Sequence, residues 1–243
     1  MSGATAEAPR DLPTVVVMGE FSAGKSSLIN LLLGEPLMPT QITATQSPAY
    51  LLGYGSDPRI LAVRRDGGIE EVQTTDPMTL DYRRYEVVRL RRPAPVLKRL
   101  MIIDTPGISD PLLPAHALAD FADTADMVLW CTLATQAWRE SEQSFWREMP
   151  SRLKRSSTLV VTKTDLLRAG DLDRLQTRLA AETMGLFKSR VTLSLPRAAA
   201  ALTGPEEAWA ASGGAAILTA LGLERADILG PTAGVEQGAT GSE

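Results

Sequence analysis

The stretch 18-MGEFSAGKSSLIN-30 follows directly on 14-TVVV-17. A short, continuous apolar run of this kind reads as a strand buried on both faces. The residues after it fit G-x-x-x-x-G-K-[ST] at Gly19, Gly24, Lys25 and Ser26, a loop that cradles phosphate. Each residue type has a reason. The glycines allow backbone geometry and close approach that a Cβ would obstruct. Successive N–H groups converge as an anion nest at the N-terminus of the following helix. Lys25 adds a point charge on the β- and γ-phosphates, and the Ser26 hydroxyl can ligate Mg²⁺. The loop as a whole, Glu20, Phe21, Ser22, Ala23, Gly24, Lys25, Ser26 and Ser27, is expected to line the nucleotide. The helix should run from Lys25 to Leu33 and stop at Gly34.

Outward from this loop, buried strands alternate with helical patterns. "LKRLMII" (97–103), "DMVLWCTLA" (126–134), "STLVV" (157–161) and "SRVTLSL" (189–195) read as further buried strands. "AYLLGYG" (49–55) and "RILAVRR" (59–65) are strand-like with a turn at "GSDP", and "GGIEEVQ" (67–73) extends them into a further hairpin strand. Helical periodicity falls at 139–154, 171–186 and 205–222. The expected class is α/β: a three-layer P-loop NTPase fold, with a mostly parallel sheet flanked by helices and one antiparallel hairpin extension. In such sheets ligands bind at the carboxyl ends of the strands, and each motif below falls at such an end. Residues 1–12 and 230–243 are expected to be disordered tails around a single domain over 13–229.

Which nucleotide is bound is suggested by 162-TKTD-165. A carboxylate at Asp165 can accept from guanine N1–H and N2–H₂; adenine lacks that pair of donors and would leave the carboxylate unpaired. Thr162 and Lys163 belong to the same segment, with the Lys163 stem laid along the base. In 104-DTPG-107, Asp104 is placed to hold Mg²⁺ through a water and the Gly107 N–H to sense the γ-phosphate. One threonine from 40-TQITATQSPAY-50 should complete the metal shell. Thr45 is the choice, with Thr43 the fallback and Thr40 also in reach.

On "GEFSAGKSSLINLLLG", "TATQSP", "DTPG" and "TKTD", the chain resembles the TRAFAC-class GTPases, and among them the GTPase domain of bacterial dynamin-like proteins. The likeness covers about residues 14–195. It implies Mg²⁺-dependent binding and hydrolysis of GTP to GDP and phosphate, with Ser22, Lys25 and Thr45 in catalytic roles and Ser26, Thr45 and Asp104 around the metal. It also implies a monovalent cation, K⁺ or Na⁺, and a homodimer through the nucleotide face. The position after D-x-x-G is Ile108, whose side chain cannot orient water; Ser22 is the residue carried over for that task. Ser194 in "TLSLP" is the candidate for the last base-contacting motif. Room for only one or two helices is expected after the fifth buried strand, too little for the helical stalk of the family, so a separate helical or membrane-associated partner is expected. The rivals are a GTP-binding interaction module with negligible hydrolysis and an Era-like GTPase linked to ribosomal RNA.

Composition sets the outer bounds. Among 243 residues, 44% are hydrophobic and 22% charged, with a formal net charge of -4. These values are those of an ordinary globular chain and make nucleic acid an unlikely partner. The one cysteine, Cys131, lies in an apolar run and reads as core. The N-terminus has no apolar signal region, and no run approaches the ~18 residues needed to span a bilayer, so a cytoplasmic protein with at most peripheral membrane contact is expected. The only histidine, His116, reads as a surface or helix-start residue. The basic run 81-DYRRYEVVRLRRPAPVLKR-99 reads as solvated strand, and Trp138, Phe145 and Trp146 read as core.

Overall fold

The computed structural model describes residues 12–40, 47–110 and 115–230. Chain order is β1 (Thr14–Gly19), α1 (Lys25–Leu33), β2 (Ala49–Tyr54), β3 (Arg59–Arg64), β4 (Ile69–Val72), β5 (Tyr85–Arg92), β6 (Met101–Asp104), α2 (Ala115–Thr124) and β7 (Met127–Leu133). It continues through α3 (Glu140–Arg147), α4 (Ser151–Ser156), β8 (Thr158–Thr162), α5 (Asp171–Glu182), β9 (Ser189–Thr192), α6 (Leu195–Ala201), α7 (Glu206–Ser212), α8 (Gly214–Leu221) and α9 (Ala226–Leu229). All nine strands form one sheet in the order β4-β3-β5-β2-β6-β1-β7-β8-β9. From β6 to β9 the pairing is parallel throughout. β2 joins that block antiparallel to β6 and starts an extension that ends in the antiparallel β3–β4 pair. The mostly parallel, helix-flanked α/β architecture is the expected one.

β1 sits at the centre with Val15, Val16, Val17 and Met18 all buried. Because side chains alternate across a strand, Val15 and Val17 enter one core with Leu28 and Leu32 of α1 and Trp209 of α7. Val16 and Met18 enter the other, built around Trp130, Trp146 and Leu179. The α1 helix has only nine residues, fewer than the ~12–15 an isolated helix needs to be even marginally stable. Packing holds it: Leu28, Ile29, Leu32 and Leu33 are buried, and each contributes about 1.5–3 kcal/mol by leaving water. The phosphate loop is thus clamped between a central strand and a helix that exists because it is packed.

Several details differ from the sequence expectation. The turn at "GSDP" does not make β2 and β3 neighbours, because β5 lies between them, parallel to β2 and antiparallel to β3. β5 has the stronger claim to the inner position: Tyr85, Val88 and Leu90 give it a buried face. The helix expected over 139–154 is two helices, with Pro150 preceding the second; proline has no N–H to continue the ladder. Likewise 205–222 divides at Gly213 into α7 and α8, and α5 ends at Glu182. α2, α6 and α9 were not legible as separate periodic segments.

Candidate functional site

Strand register carries the motifs to one edge. Val17 of β1 is level with Asp104 of β6, and Gly19 is level with Cys131 of β7. Beyond them opens a cleft lined by residues 21–27, by Asp104 to Gly107, and by Pro39, Thr40, Ser47, Pro48, Tyr50 and Lys163. The loop turns away from the sheet at Gly19, where φ is +144° and a Cβ would lie 2.1 Å from the Cys131 carbonyl oxygen. No other residue fits there. Ser22, at the exposed tip, holds a left-handed φ of 59° without being glycine, which costs on the order of 1 kcal/mol or more.

Lys25 is only 8% exposed. Its Nζ donates to the carbonyl oxygens of Gly19 at 3.1 Å and Glu20 at 2.9 Å. Burial holds its pKa below the ordinary lysine value, with the nearby Asp104 carboxylate opposing that shift. An ammonium set among loop carbonyls, at a helix N-terminus and largely out of water, is prepared to meet an anion.

Across from it, Ser26 Oγ donates to Asp104 Oδ2 at 2.8 Å. The other carboxylate oxygen, Oδ1, is buried and has no partner among the described residues. Burial pushes the Asp104 pKa up to about 6, against the lowering effects of Lys25 and the Ser26 hydrogen bond. A buried acceptor without a donor is costly, and a hard cation with its waters would satisfy it. The donor set of one hydroxyl and one carboxylate fits Mg²⁺, which is held through few protein oxygens and keeps several waters. Among the described residues no group of three or more His, Cys, Asp or Glu could hold a metal alone. An ion here would therefore draw on phosphate and water as well.

The segment after Asp104 presses on the loop. A Cβ on Gly107 would stand 2.9 Å from the Phe21 nitrogen, and Ile108 N donates to Gly19 O at 3.2 Å. The Glu20 side chain, which the sequence did not single out for this role, binds this segment to α3. Ser109 Oγ donates to Glu20 Oε2, and Ser141 Oγ donates to Oε1 at 2.7 Å. Ile108 packs against the apolar core that holds Trp130. Thr40 is exposed at the cleft wall; Thr43 and Thr45 lie outside the described residues.

At the far end, Lys163 has a left-handed φ of 55° and its side chain lines the cleft. Asp165 is half-buried and its Oδ1 accepts from Ser194 Oγ at 2.9 Å. Ser194 is itself buried, with its N–H on Ser212 O at 2.9 Å. Ser194, expected to contact the base, hydrogen-bonds the Asp165 carboxylate. Thr162 is fully buried, and its Oγ1 donates to Ala23 O at 2.7 Å. Its side chain braces the phosphate loop from β8 and does not face the cleft.

Other candidates fall to structural roles. Burial pushes the Cys131 thiol up to about 12, which leaves it unreactive. Trp138 and Trp146 join Trp130 and Phe187 in a network of ring contacts, including a stacked pair, Trp146–Phe187, with centroids 4.3 Å apart. The basic run forms β5, where Arg91 donates to Tyr54 O at 3.0 Å. The His116 side chain lies outside the described ones.

Residues 15–164 match the sequence model of the dynamin family. "Dynamin-like protein 2" of Campylobacter jejuni is 23% identical over 189 residues, covering 76% of this chain and 31% of that protein. The "Probable transmembrane GTPase FZO-like, chloroplastic" of Arabidopsis thaliana is 27% identical over 184 residues, covering 75% of this chain and 18% of that one. Among solved structures, "An oligomerised bacterial dynamin pair provides a mechanism for the long range sensing and tethering of membranes" superposes with a TM-score of 0.65 at 17% identity, over 80% of this chain and 35% of that one. The chain thus spans less than a third of the length of either of these sequence relatives.

Proposed function

The chain belongs to the dynamin family, and from that premise we propose that it binds GTP with Mg²⁺ and hydrolyses it to GDP and phosphate. The observation that carries this reading is the pairing of a desolvated Lys25 ammonium with an unpartnered Asp104 Oδ1 on one cleft. A ligand that brings an anion and a cation together would serve both groups, and a nucleoside triphosphate with its divalent ion does so.

Each residue then has a defined part. Amides of the phosphate loop meet the β- and γ-phosphates, and Lys25 exchanges its loop carbonyls for phosphate oxygens. Ser26 and Asp104 would hold the metal; when bound, Mg²⁺ neutralises charge that builds on the phosphates during transfer. Gly107, pressed on the Phe21 nitrogen, follows the presence of the γ-phosphate through its N–H. Asp165, aimed by Ser194, accepts from the guanine edge while Lys163 covers the base. Ser22, strained at the loop tip, positions water or charge in place of the apolar Ile108, with K⁺ or Na⁺ as an added counter-charge. Thr45 completes the metal shell.

By family likeness, the chain acts as a nucleotide-controlled switch, through its own nucleotide face in a homodimer or with a separate helical or membrane-associated partner. Among the described residues no helix is long and apolar enough to cross a membrane. A cytoplasmic protein, peripheral to membrane if it meets one, fits this reading. A GTP-binding module with negligible hydrolysis is the second reading, and the apolar Ile108, partly buried against the core and without a group to orient water, favours it.

The test compares phosphate release from GTP and from ATP, at high protein concentration and with K⁺ present, alongside calorimetric binding of each nucleotide. GTP-selective release is expected. GTP-selective binding without release would establish the second reading, and no binding of GTP or GDP would end both. Co-purification with a non-hydrolysable GTP analogue then asks what the loaded form holds.

A further inference from the structure

Asp104 Oδ1 is not the only orphan in the cleft. The hydroxyl of Tyr50 is also buried without a hydrogen-bond partner among the described residues. Tyr50 is 3% exposed, lines the same cleft, and stands directly opposite Asp104 in the antiparallel β2–β6 pair. Directly opposed residues of such a pair project to the same face, so both unsatisfied atoms stand on one face of the sheet beside one cleft. Its ring is anchored in the core that also holds Leu52, Ile102 and Leu28, so the hydroxyl is fixed in place.

The chemistry of the two atoms restricts what completes them. Ionised Asp104 Oδ1 can only accept, while a phenol can accept or donate. Burial, reinforced by the Asp104 charge, raises the Tyr50 pKa, and the phenol stays protonated. A phosphate oxygen would satisfy the tyrosine but would repel the carboxylate. A water molecule with two donor protons satisfies both, and a water bound to a divalent ion is a stronger donor than a free one. Mg²⁺ keeps several such waters, and groups that hold metal-bound ligands from the outside orient the site.

We infer that Tyr50 is a positioning residue of the metal site, its hydroxyl and Asp104 Oδ1 together holding one water ligand of the divalent cation that accompanies the nucleotide. This rests on the nucleotide reading above and adds a residue that neither the motifs nor the family model's description points to. The role is one of orientation: the hydroxyl touches neither substrate nor the reacting atoms. It also accounts for a polar tyrosine at a position where phenylalanine would pack equally well.

The experiment uses Tyr50→Phe, which keeps the ring and removes the one atom. Mn²⁺ is titrated into the GDP complex of parent and variant, and free Mn²⁺ is read by electron paramagnetic resonance. GDP affinity is measured in parallel with excess chelator. The expected result is a three- to tenfold weaker Mn²⁺ affinity, unchanged metal-free GDP affinity, and an equal or higher melting midpoint for the nucleotide-free variant, which no longer buries an unpaired hydroxyl. Mn²⁺ affinity within twofold of the parent overturns the inference. So does a parallel loss of metal-free GDP binding, which would make Tyr50 a packing residue only. A parent that binds no GDP removes the nucleotide reading itself, and this inference with it.

Discussion

The two ends of the cleft are built on opposite principles. At the phosphate end, a buried ammonium rests on main-chain carbonyls, and one oxygen of a buried carboxylate and a buried phenol each lack a partner among the described residues. At the end proposed to take the base, Asp165, just beyond the cleft-lining Lys163, already has its Ser194 donor, and Ser194 is secured by Ser212 O. The first is incomplete until something charged arrives; the second is preorganised. The difference has a physical origin. Recognition of a neutral base edge needs a fixed acceptor, and hydrogen bonds that hold that acceptor still can be formed in advance. Binding of a triphosphate and its cation needs charges free to exchange partners, and their desolvation is offset only by the ligand. The phosphate end is therefore expected to control affinity, metal dependence and pH response, and the base end to control selectivity.

The largest expected effect breaks the phosphate end. Lys25→Ala should weaken GTP and GDP binding by about 100-fold or more, or about 3 kcal/mol, since hydrogen bonds to charged groups contribute ~1.5–3 kcal/mol each. The melting midpoint of the nucleotide-free protein should hold or rise, because a desolvated ammonium has been removed. Calorimetry and thermal denaturation measure the two. A stability loss with intact binding would reverse the comparison.

The next concerns pH and Asp104. Its native pKa of about 6 exceeds the unfolded carboxylate value of ~3.9, so between these values the native state binds more protons than the unfolded one. Stability of the nucleotide-free protein should therefore rise as pH falls from about 7 toward about 4, by up to about 2–3 kcal/mol from this group. Mg²⁺ affinity of the GDP complex should weaken below pH 6, because the ligand must be deprotonated. Asp104→Asn should flatten the part of the stability profile that lies in this window. A wild-type profile that the substitution leaves unchanged would show that Asp104 does not titrate there.

Smaller effects sharpen the base end. Asp165→Ala should reduce the preference for GTP over ATP by roughly tenfold to a hundredfold, mostly through weaker GTP binding, as competition assays would report. Ser194→Ala leaves the Asp165 carboxylate in place with one donor fewer. It should weaken GTP binding only a few-fold, about 1 kcal/mol, and leave ATP binding unchanged. An equal loss for both nucleotides would mean that Ser194 shapes the cleft and does not aim the carboxylate.

Much of this was legible in the chain. The apolar runs at 14–17 and 127–133 read as buried strands, and they are neighbours in the parallel part of the sheet. The interior strand order was less readable. Nothing local to "AYLLGYG" says that β5 will insert beside it, because β-pairing is settled by which face can be buried. The helix breaks at Pro150 and Gly213 were visible as residues but lost within longer periodic windows. Glu20 was visible only as part of a loop. That its carboxylate ties Ser109 to Ser141, 121 positions away from it in sequence, is a fact of folding.

The sequence by itself determined the α/β class, the phosphate loop and the order of the motifs, because these depend on residue types at short spacing: glycines for approach, a lysine for charge, a carboxylate after a buried strand. Tertiary structure alone decided which polar atoms are satisfied. Ser194 faces Asp165, Thr162 faces the loop, and Tyr50 shares a sheet face with Asp104, because strands distant in the chain meet in one register and burial then removes the water that would otherwise have served each group.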